Sequence, residues 1–192
     1  MAIGDVAGKG VSAALLVTKL GFETRWCLET EPDLPRAVLM LDERLVRGGL
    51  GDRFVTLAVA VLDPVAHTIT LVSAGHQSPK VYRAATGELV DAIPLDAIGL
   101  PLGVFPDFAF EQVTLSLEVG DTVVMFTDGI AVELNPAGET LGSEATDRVI
   151  AIGGGAKQIG ERLAETIRQH RNGRAQNDDI AIVCFGREER TT

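Results

Sequence analysis

The sequence predicts an α+β fold, an antiparallel β-sandwich flanked by helices, from three features of its pattern. Apolar strand-like segments follow one another between residues 54 and 127 with short connections, which favours antiparallel pairing. Helical periodicity occurs near both ends of the chain, where helices would cover the sheets. A length of 192 residues is enough to bury one hydrophobic core, so we expect a single domain over residues 1–192.

Three segments show the spacing of apolar residues that is typical of helices. Ser12 is predicted to cap a helix that ends near Leu28. A second helix is expected over residues 35–47, with Pro35 in its first turn. The third helix is predicted over residues 156–170, where isoleucine and leucine recur one turn apart.

The strand predictions rest on apolar content and on turn signals. Residues 54–62 are almost continuously apolar, which is typical of a central strand covered on both faces. Thr86-Gly87 separates two short segments and predicts a hairpin. The other predicted strands begin at residues 2–3 and continue with 67–73, 80–83, 88–90, 108–117, 122–127 and 180–185. We expect segment 108–117 to pair with segment 122–127.

The composition disfavours several classes of protein. The formal net charge is −10, which argues against nucleic-acid binding, because that affinity comes mainly from Lys and Arg neutralising phosphates. No apolar run approaches the ~20 residues of a membrane span, so we expect no membrane segment. Cys27 and Cys184 match no metal spacing and are predicted to be buried free thiols, which indicates a cytoplasmic location.

Acidic residues stand at the ends of three predicted strands. Asp5 lies in the glycine-rich turn of residues 4–10, Asp128 follows the strand of residues 122–127, and Asp178-Asp179 precedes the last strand. A carboxylate at a glycine-rich corner can reach a metal or a phosphate without steric obstruction. An aspartate beside glycine is, taken alone, more often a turn former. Together the three sites indicate a hard divalent cation, since Mg²⁺ and Mn²⁺ prefer oxygen ligands.

Other catalytic arrangements are not supported by the sequence. Only three residues separate Gly4 from Gly8-Lys9, and Gly10 stands where a nucleotide-binding P-loop needs Ser or Thr. No Gly-x-Ser-x-Gly motif occurs, and the three histidines form no obvious partner set for a serine nucleophile. The sequence also lacks a Cys or His cluster with zinc-ligand spacing.

Four stretches in a fixed order resemble a known family. They are Gly4-Asp5-Val6-Ala7-Gly8-Lys9-Gly10, Ser73-Ala74-Gly75-His76, Phe126-Thr127-Asp128-Gly129 and Asn177-Asp178-Asp179-Ile180. The chain resembles the metal-dependent (type 2C, PPM) protein serine/threonine phosphatases, and within them the bacterial SpoIIE-like branch. Each motif alone is weak, because Asp-Gly and Asp-Asp are common turn sequences. Their order along essentially the whole chain makes the resemblance specific.

The resemblance implies a β-sandwich flanked by helices and a site for two Mn²⁺ or Mg²⁺ ions. By position, Asp5 resembles the carboxylate that bridges both metals, and the Val6 carbonyl would be a backbone ligand. Asp128 and Asp178 resemble the remaining aspartates on one of the two metals, and Asp179 matches a position outside the ligand set. The implied activity is hydrolysis of phosphoserine or phosphothreonine on a protein, with Asp5, Asp128 and Asp178 acting through a metal-activated water.

Two departures from the family pattern matter. The family domain begins with an earlier strand carrying Gly-Gly-Asp, whereas this chain starts inside the following strand. We therefore expect an N-terminally truncated domain in which the second metal site is weakened by loss of a carboxylate. The family also often has Glu four residues after the Thr-Asp-Gly aspartate, where this chain has Val132, with Glu133 next to it.

The resemblance further implies a role in bacterial sigma-factor or stress signalling, with a phosphorylated anti-sigma-factor antagonist as substrate. A sheet that lacks its neighbouring strand exposes unpaired backbone groups, which predicts a possible homodimer at that edge. The alternative is a phosphatase-fold binding or regulatory module with weak turnover or none. A phosphatase assay with Mn²⁺ against EDTA distinguishes the two.

Overall fold

The structure is a computed structural model, and it describes residues 1–8, 10–51 and 53–188. Lys9 of the first acidic motif and Asp52 lie outside the described residues. The helices and strands, in chain order, are β1 (Ala2–Val6), α1 (Val11–Thr30), α2 (Leu34–Arg47), β2 (Val55–Asp63), β3 (Thr68–Ala74), β4 (Lys80–Arg83), β5 (Glu88–Asp91), β6 (Val113–Ser116), β7 (Thr122–Phe126), α3 (Ser143–Ala151), α4 (Ala156–Arg171) and β8 (Ile182–Gly186). Two short 3₁₀ helices cover Leu95–Ala97 and Asp128–Ile130.

The chain divides into two compact units, each built around one four-stranded sheet. The first unit contains Met1–Leu62, Ile69–Ser78 and Ile93–Thr114, and its sheet has the strand order β1-β2-β3-β6. The second unit contains Asp63–Thr68, Pro79–Ala92 and the chain from Leu115 onward, and its sheet has the order β5-β4-β7-β8. Pairing is antiparallel between β1 and β2, and throughout the second sheet.

In the first unit, α1 and α2 pack on the sheet through one hydrophobic core. The second helix begins at Leu34, one residue before the predicted start, and Pro35 lies in its first turn as predicted. The Asp33 carboxylate caps this helix by accepting the Arg36 N–H at 3.0 Å. The helical spacing of its apolar residues then directs one face inward. The core joins α1, α2 and the strands through Val6, Leu16, Leu20, Val38, Leu41, Leu45, Val55 and Leu57.

In the second unit, α3 and α4 pack on the sheet that contains β7. All five residues of β7 are buried, which fits its place between β4 and β8. The predicted third helix is confirmed as α4, and its one-turn series Ile159, Leu163 and Ile167 lies in the core. The predicted hairpin across Thr86-Gly87 is also confirmed, as the antiparallel pair β4 and β5.

The prediction that Ser12 caps the first helix is wrong. The helix begins at Val11, with Gly10 as the N-cap residue and no side-chain hydrogen bond at that cap. Gly10 has a φ of 87°, a backbone conformation that favours glycine. The glycine-rich turn therefore ends at Gly10, directly before the first residue of the helix. The Ser12 hydroxyl instead accepts a hydrogen bond of 2.7 Å from the Arg53 guanidinium.

The prediction that residues 108–117 pair with residues 122–127 is also wrong. Only Val113–Ser116 of the first segment forms a strand, β6, and it lies beside β3, whereas β7 pairs with β4 and β8 in the other sheet. Phe108 and Phe110 pack edge to face and contact the core of the first unit, so their apolar character reflects burial outside a strand. Helix α3 was not predicted, because Val149 and Ile150 are the only large apolar residues among its nine residues.

The last strand begins at Ile182, two residues later than predicted, and the cysteines differ from each other. Cys27 is a buried free thiol, as predicted, whereas Cys184 is only half-buried. Burial raises the pKa of the Cys184 thiol to about 11, which keeps it protonated at neutral pH. Among the described residues, we find no helix that combines the length and the apolar character needed to cross a bilayer.

Asp42 is a buried carboxylate that ties α2 to a later loop of the same unit. The side chain is 3% exposed, and its Oδ1 accepts the Gly103 N–H at 2.6 Å. Burial raises the pKa of Asp42, and the hydrogen bond from Gly103 opposes that shift. The folded state therefore holds this proton to a higher pH than the unfolded chain does.

From this shift we expect the Asp42 contribution to the free energy of unfolding to fall as pH rises from the ordinary carboxyl pKa through the raised one. The loss is about 1.4 kcal/mol for each unit of pKa difference. Asp42→Asn keeps an acceptor oxygen for Gly103 but cannot ionise, so it removes this part of the pH dependence. Urea unfolding between about pH 4 and pH 8 measures it. An unchanged pH slope in Asp42→Asn, relative to the exposed control Asp96→Asn, contradicts the assignment.

Candidate metal centre

Two of the predicted acidic sites lie side by side in the second unit. Residues 127–129 and 178–179, which we call the two acidic segments, continue from the paired strands β7 and β8, whose last pair is Phe126 with Ile182. The Thr127 N–H donates to the Ala181 carbonyl at 3.1 Å. The Thr127 hydroxyl donates to the Asp179 carbonyl at 3.1 Å and accepts the Ala181 N–H at 3.0 Å. These three bonds bring the backbones of the two segments together.

Gly129 is required by this close approach. A Cβ at this position would overlap the carbonyl oxygen of Asp179, a backbone atom that cannot move aside without disturbing the paired segment. Asp128 begins the 3₁₀ turn, and its carbonyl accepts the N–H groups of Ala131 at 2.9 Å and Val132 at 3.2 Å. The backbone of Asp128 is thus fixed at the end of β7, and its side chain is exposed.

Asp178 is also exposed and is fixed by local bonds. Its carboxylate Oδ1 accepts the N–H of Asp179 at 3.0 Å. Its carbonyl accepts the side-chain amide of Gln176 at 2.7 Å. The first bond fixes one carboxylate oxygen and so orients the group, which is the arrangement expected of a side chain that presents an oxygen to a ligand.

Asp5, the third predicted acidic residue, lies near the end of β1 in the first unit. It is exposed and stands opposite Thr56 of β2. The Thr56 hydroxyl and the Nδ1 of His76 are 3.0 Å apart. His76 is buried, and its backbone exchanges hydrogen bonds with the Ser73 hydroxyl, so this histidine has a structural role.

The Val6 carbonyl points away from β2. Val6 is paired with Val55, but Val55 exchanges both of its backbone hydrogen bonds with Leu102. Along an antiparallel pair, residues alternate between bonded and non-bonded positions, so the backbone groups of Val6 face off the sheet edge that β1 forms. The role of the Val6 carbonyl as a backbone ligand stays a prediction.

The donor chemistry of these residues fits a hard divalent cation. Asp5, Asp128, Asp178 and the Val6 carbonyl provide oxygen atoms only, which are the ligands that Mg²⁺ and Mn²⁺ prefer. Within residues 1–8, 10–51 and 53–188, no group of three or more His, Cys, Asp or Glu side chains is arranged to hold a metal ion. These groups therefore fit a divalent cation in two respects, the chemical type of their donor atoms and their positions near the ends of strands.

Sequence reasoning did not find the role of Glu133. Val132, at the position where the resemblance implies a glutamate, is 37% exposed, whereas the neighbouring Glu133 is fully buried at 0%. A buried carboxylate is unusual enough to require partners. The Glu133 Oε2 accepts the Asn177 N–H at 3.4 Å, directly before Asp178. In the sequence, the one sign of this role is that the glutamate stands at position 133 and not at position 132, where the family often has it.

The comparisons with known proteins agree with the motifs. Residues 1–188 match the family Stage II sporulation protein E (SpoIIE). Phosphoserine phosphatase RsbU of Bacillus subtilis (strain 168) is 32% identical over 134 residues, which is 68% of this chain and 38% of RsbU. The chain thus spans less than two-fifths of the length of this relative.

Solved structures with 20% and 21% sequence identity share the fold. The SiaA-PP2C domain of Pseudomonas aeruginosa matches with a TM-score of 0.79 over 98% of this chain and 74% of that chain. The PP2C phosphatase domain of SpoIIE from Bacillus subtilis, solved with a fragment of its regulatory domain, matches with a TM-score of 0.75 over 95% of this chain and 52% of that chain.

A third solved structure is a metal complex. RsbX in complex with magnesium is 15% identical and matches with a TM-score of 0.67 over 95% of this chain and 78% of that chain. The predicted fold class is confirmed by these matches to the PP2C phosphatase fold. Because the family match extends over residues 1–188, the chain belongs to the SpoIIE family.

Proposed function

We propose that residues 1–192 form one metal-dependent protein serine/threonine phosphatase domain. The observation that supports this most is the contact between the two acidic segments, where Thr127 bonds to Asp179 and Ala181 and places Asp128 beside the Asp178 segment. This contact joins motifs that are 50 residues apart, in the order that the family motifs follow. The name of the relative RsbU, a phosphoserine phosphatase, supports the same reaction class.

In this proposal, Asp5, Asp128, Asp178 and the Val6 carbonyl hold Mn²⁺ or Mg²⁺. When bound, the cations supply an activated water for attack on phosphorus and offset charge on the phosphoryl oxygens. The chain itself fixes the ligands, since the 3₁₀ turn anchors Asp128 and the Asp179 N–H orients the Asp178 carboxylate. Ligands held before the cation arrives lose less conformational freedom on binding, which favours affinity.

The proposed substrate is a phosphorylated protein, specifically an anti-sigma-factor antagonist in bacterial sigma-factor or stress signalling, and the proposed location is the cytoplasm. The name of the relative RsbU, phosphoserine phosphatase, supports a phosphoserine substrate, and the resemblance to the SpoIIE-like branch supports the narrower choice of protein. A homodimer is part of the same proposal, and the place of β1 at the edge of its sheet supports it, because an edge strand offers unpaired backbone groups to another chain.

The first expected result is that the protein releases phosphate from a phosphoserine peptide with Mn²⁺ and stops when EDTA is added. The reason is that the proposed reaction depends on cations bound by carboxylates. Phosphate release is measured colorimetrically, with Asp128→Asn protein as the control for a contaminating phosphatase. Activity that persists in EDTA contradicts the metal mechanism. Binding of the phosphopeptide without turnover in Mn²⁺ supports the alternative of a binding or regulatory module.

Asp128→Asn and Asp178→Asn are each expected to lower turnover strongly and to leave the fold intact. Each change removes one ligand charge but keeps the side-chain volume, and both side chains are exposed. Removing a residue that supports a metal ligand typically lowers activity by about 10–100-fold. Removing the ligand charge itself should lower turnover by at least as much. Steady-state kinetics and thermal unfolding are measured together, with Asp96→Asn as the exposed control. Near-normal turnover in either variant shows that its aspartate is not a ligand.

A panel of phosphorylated proteins tests the proposed substrate. We expect faster loss of phosphate from phosphorylated anti-sigma-factor antagonists than from unrelated phosphoproteins, because the proposed site has to recognise a folded protein around the phosphate. Mass spectrometry of intact proteins follows the loss of phosphate over time. Equal rates on all members of the panel would remove the support for this substrate class and leave the general phosphatase activity standing.

A further inference from the structure

A buried carboxylate beside the two acidic segments is not used by the proposed chemistry. The Glu133 side chain is fully buried. Its Oε2 accepts the Asn177 N–H at 3.4 Å, and its Oε1 lies 4.0 Å from the Arg171 Nε. In the described part of the chain, Oε1 has no hydrogen-bond donor. A charge so deeply buried costs free energy, so its retention indicates that its contacts serve a purpose.

Several contacts at and around Glu133 join the same two stretches of chain. On one side are residues 132–135, which follow Asp128, and on the other are α4 and the loop of residues 172–177, which precedes Asp178. Besides the Glu133 carboxylate, three further hydrogen bonds cross between them. They are Asn177 Nδ2 to the Val132 carbonyl at 3.5 Å, His170 Nε2 to the Glu133 carbonyl at 3.1 Å and Arg174 to the Asn135 carbonyl at 2.9 Å.

These bonds act on the residue next to a proposed ligand. The Asn177 N–H belongs to the peptide that directly precedes Asp178, so its bond to Glu133 restricts where the Asp178 backbone can lie. Thr127 restricts the chain on the other side of Asp178, through the Asp179 carbonyl. Asp178 is thus held from both directions along the chain, and Glu133 is the acidic member of the group of residues that holds it.

We propose that Glu133 is a positioning residue, whose buried carboxylate holds the loop of residues 172–177 so that Asp178 presents its side chain to a divalent cation. This inference rests on the proposed function, because it assigns Asp178 to the cation. Glu133 does not contact the cation in this proposal. Its effect is transmitted through the Asn177 backbone, as is common for residues that orient ligands from outside the ligand set.

The first test is free of metal and therefore independent of phosphatase activity. Glu133→Gln keeps the side-chain volume and one acceptor oxygen but removes the charge that faces Arg171. We expect about tenfold faster hydrogen exchange in residues 172–178, as for opening of a local segment, with little change in β7 and β8. The measurement is hydrogen exchange by mass spectrometry in EDTA. The matched control is Glu161→Gln, an exposed glutamate on α4.

The second test measures the effect on the cation. We expect calorimetric titration of Mn²⁺ into Glu133→Gln to show an about 10–100-fold weaker affinity than in the unmodified chain. Glu161→Gln should bind as the unmodified chain does. A role in stability alone would lower the unfolding temperature and leave the Mn²⁺ affinity of the folded protein unchanged, and that result would overturn the positioning role.

A second variant keeps the inference testable if Glu133→Gln does not fold. Asn177→Ala retains Glu133 and removes only the side-chain bond to Val132, at an exposed position. It should raise exchange in residues 172–178 by a smaller factor and weaken Mn²⁺ in parallel. Unchanged exchange in both folded variants overturns the inference. No Mn²⁺ binding by the unmodified chain overturns the proposed function instead, and the metal-free exchange then decides by itself whether Glu133 holds the loop.

Discussion

The candidate site in the second unit depends on two hydrogen bonds of the Thr127 hydroxyl. The hydroxyl donates to the Asp179 carbonyl and accepts the Ala181 N–H, so one side chain satisfies two backbone groups of the neighbouring segment. The strands β7 and β8 stop pairing as regular strands at Phe126 and Ile182, and this hydroxyl continues the contact beyond them. Without it, the Asp179 carbonyl and the Ala181 N–H would lose their side-chain partner at the end of β7.

The same region shows how a functional surface can be rigid and exposed at once. Asp128 and Asp178 are exposed, but the atoms that fix them are backbone groups, a glycine packed against a carbonyl and the buried carboxylate of Glu133. These contacts are in place before a ligand binds, so little conformational entropy remains to be lost on binding. The rigidity of the two acidic segments therefore comes from the groups that hold their backbone, and not from the two exposed aspartate side chains.

Much of the fold could be predicted, because buried helix faces and strands need apolar residues at regular spacings along the sequence. The almost continuous apolar run of residues 54–62 indicates a strand covered on both faces, and the one-turn series of α4 indicates a helix with one covered face. The prediction for segment 108–117 was wrong because Phe110 is buried and Phe108 is partly buried without either being in a strand, and periodicity does not separate the two cases. For the site, motif order identified the acidic residues, whereas the role of Glu133 depends on contacts across 44 residues of chain that no local pattern encodes.

The turn of residues 135–139 has a consequence for how this family can vary in length. Its ends are joined by the Asn135 N–H to the Glu139 carbonyl and by the bridge between Leu134 and Thr140, and most of its residues are exposed. Extra residues inserted at its tip would leave both ends in place, so a longer turn would cost little free energy of folding. An insertion between Thr127 and Gly129 has no such freedom, since it would shift the aspartate relative to its partner segment.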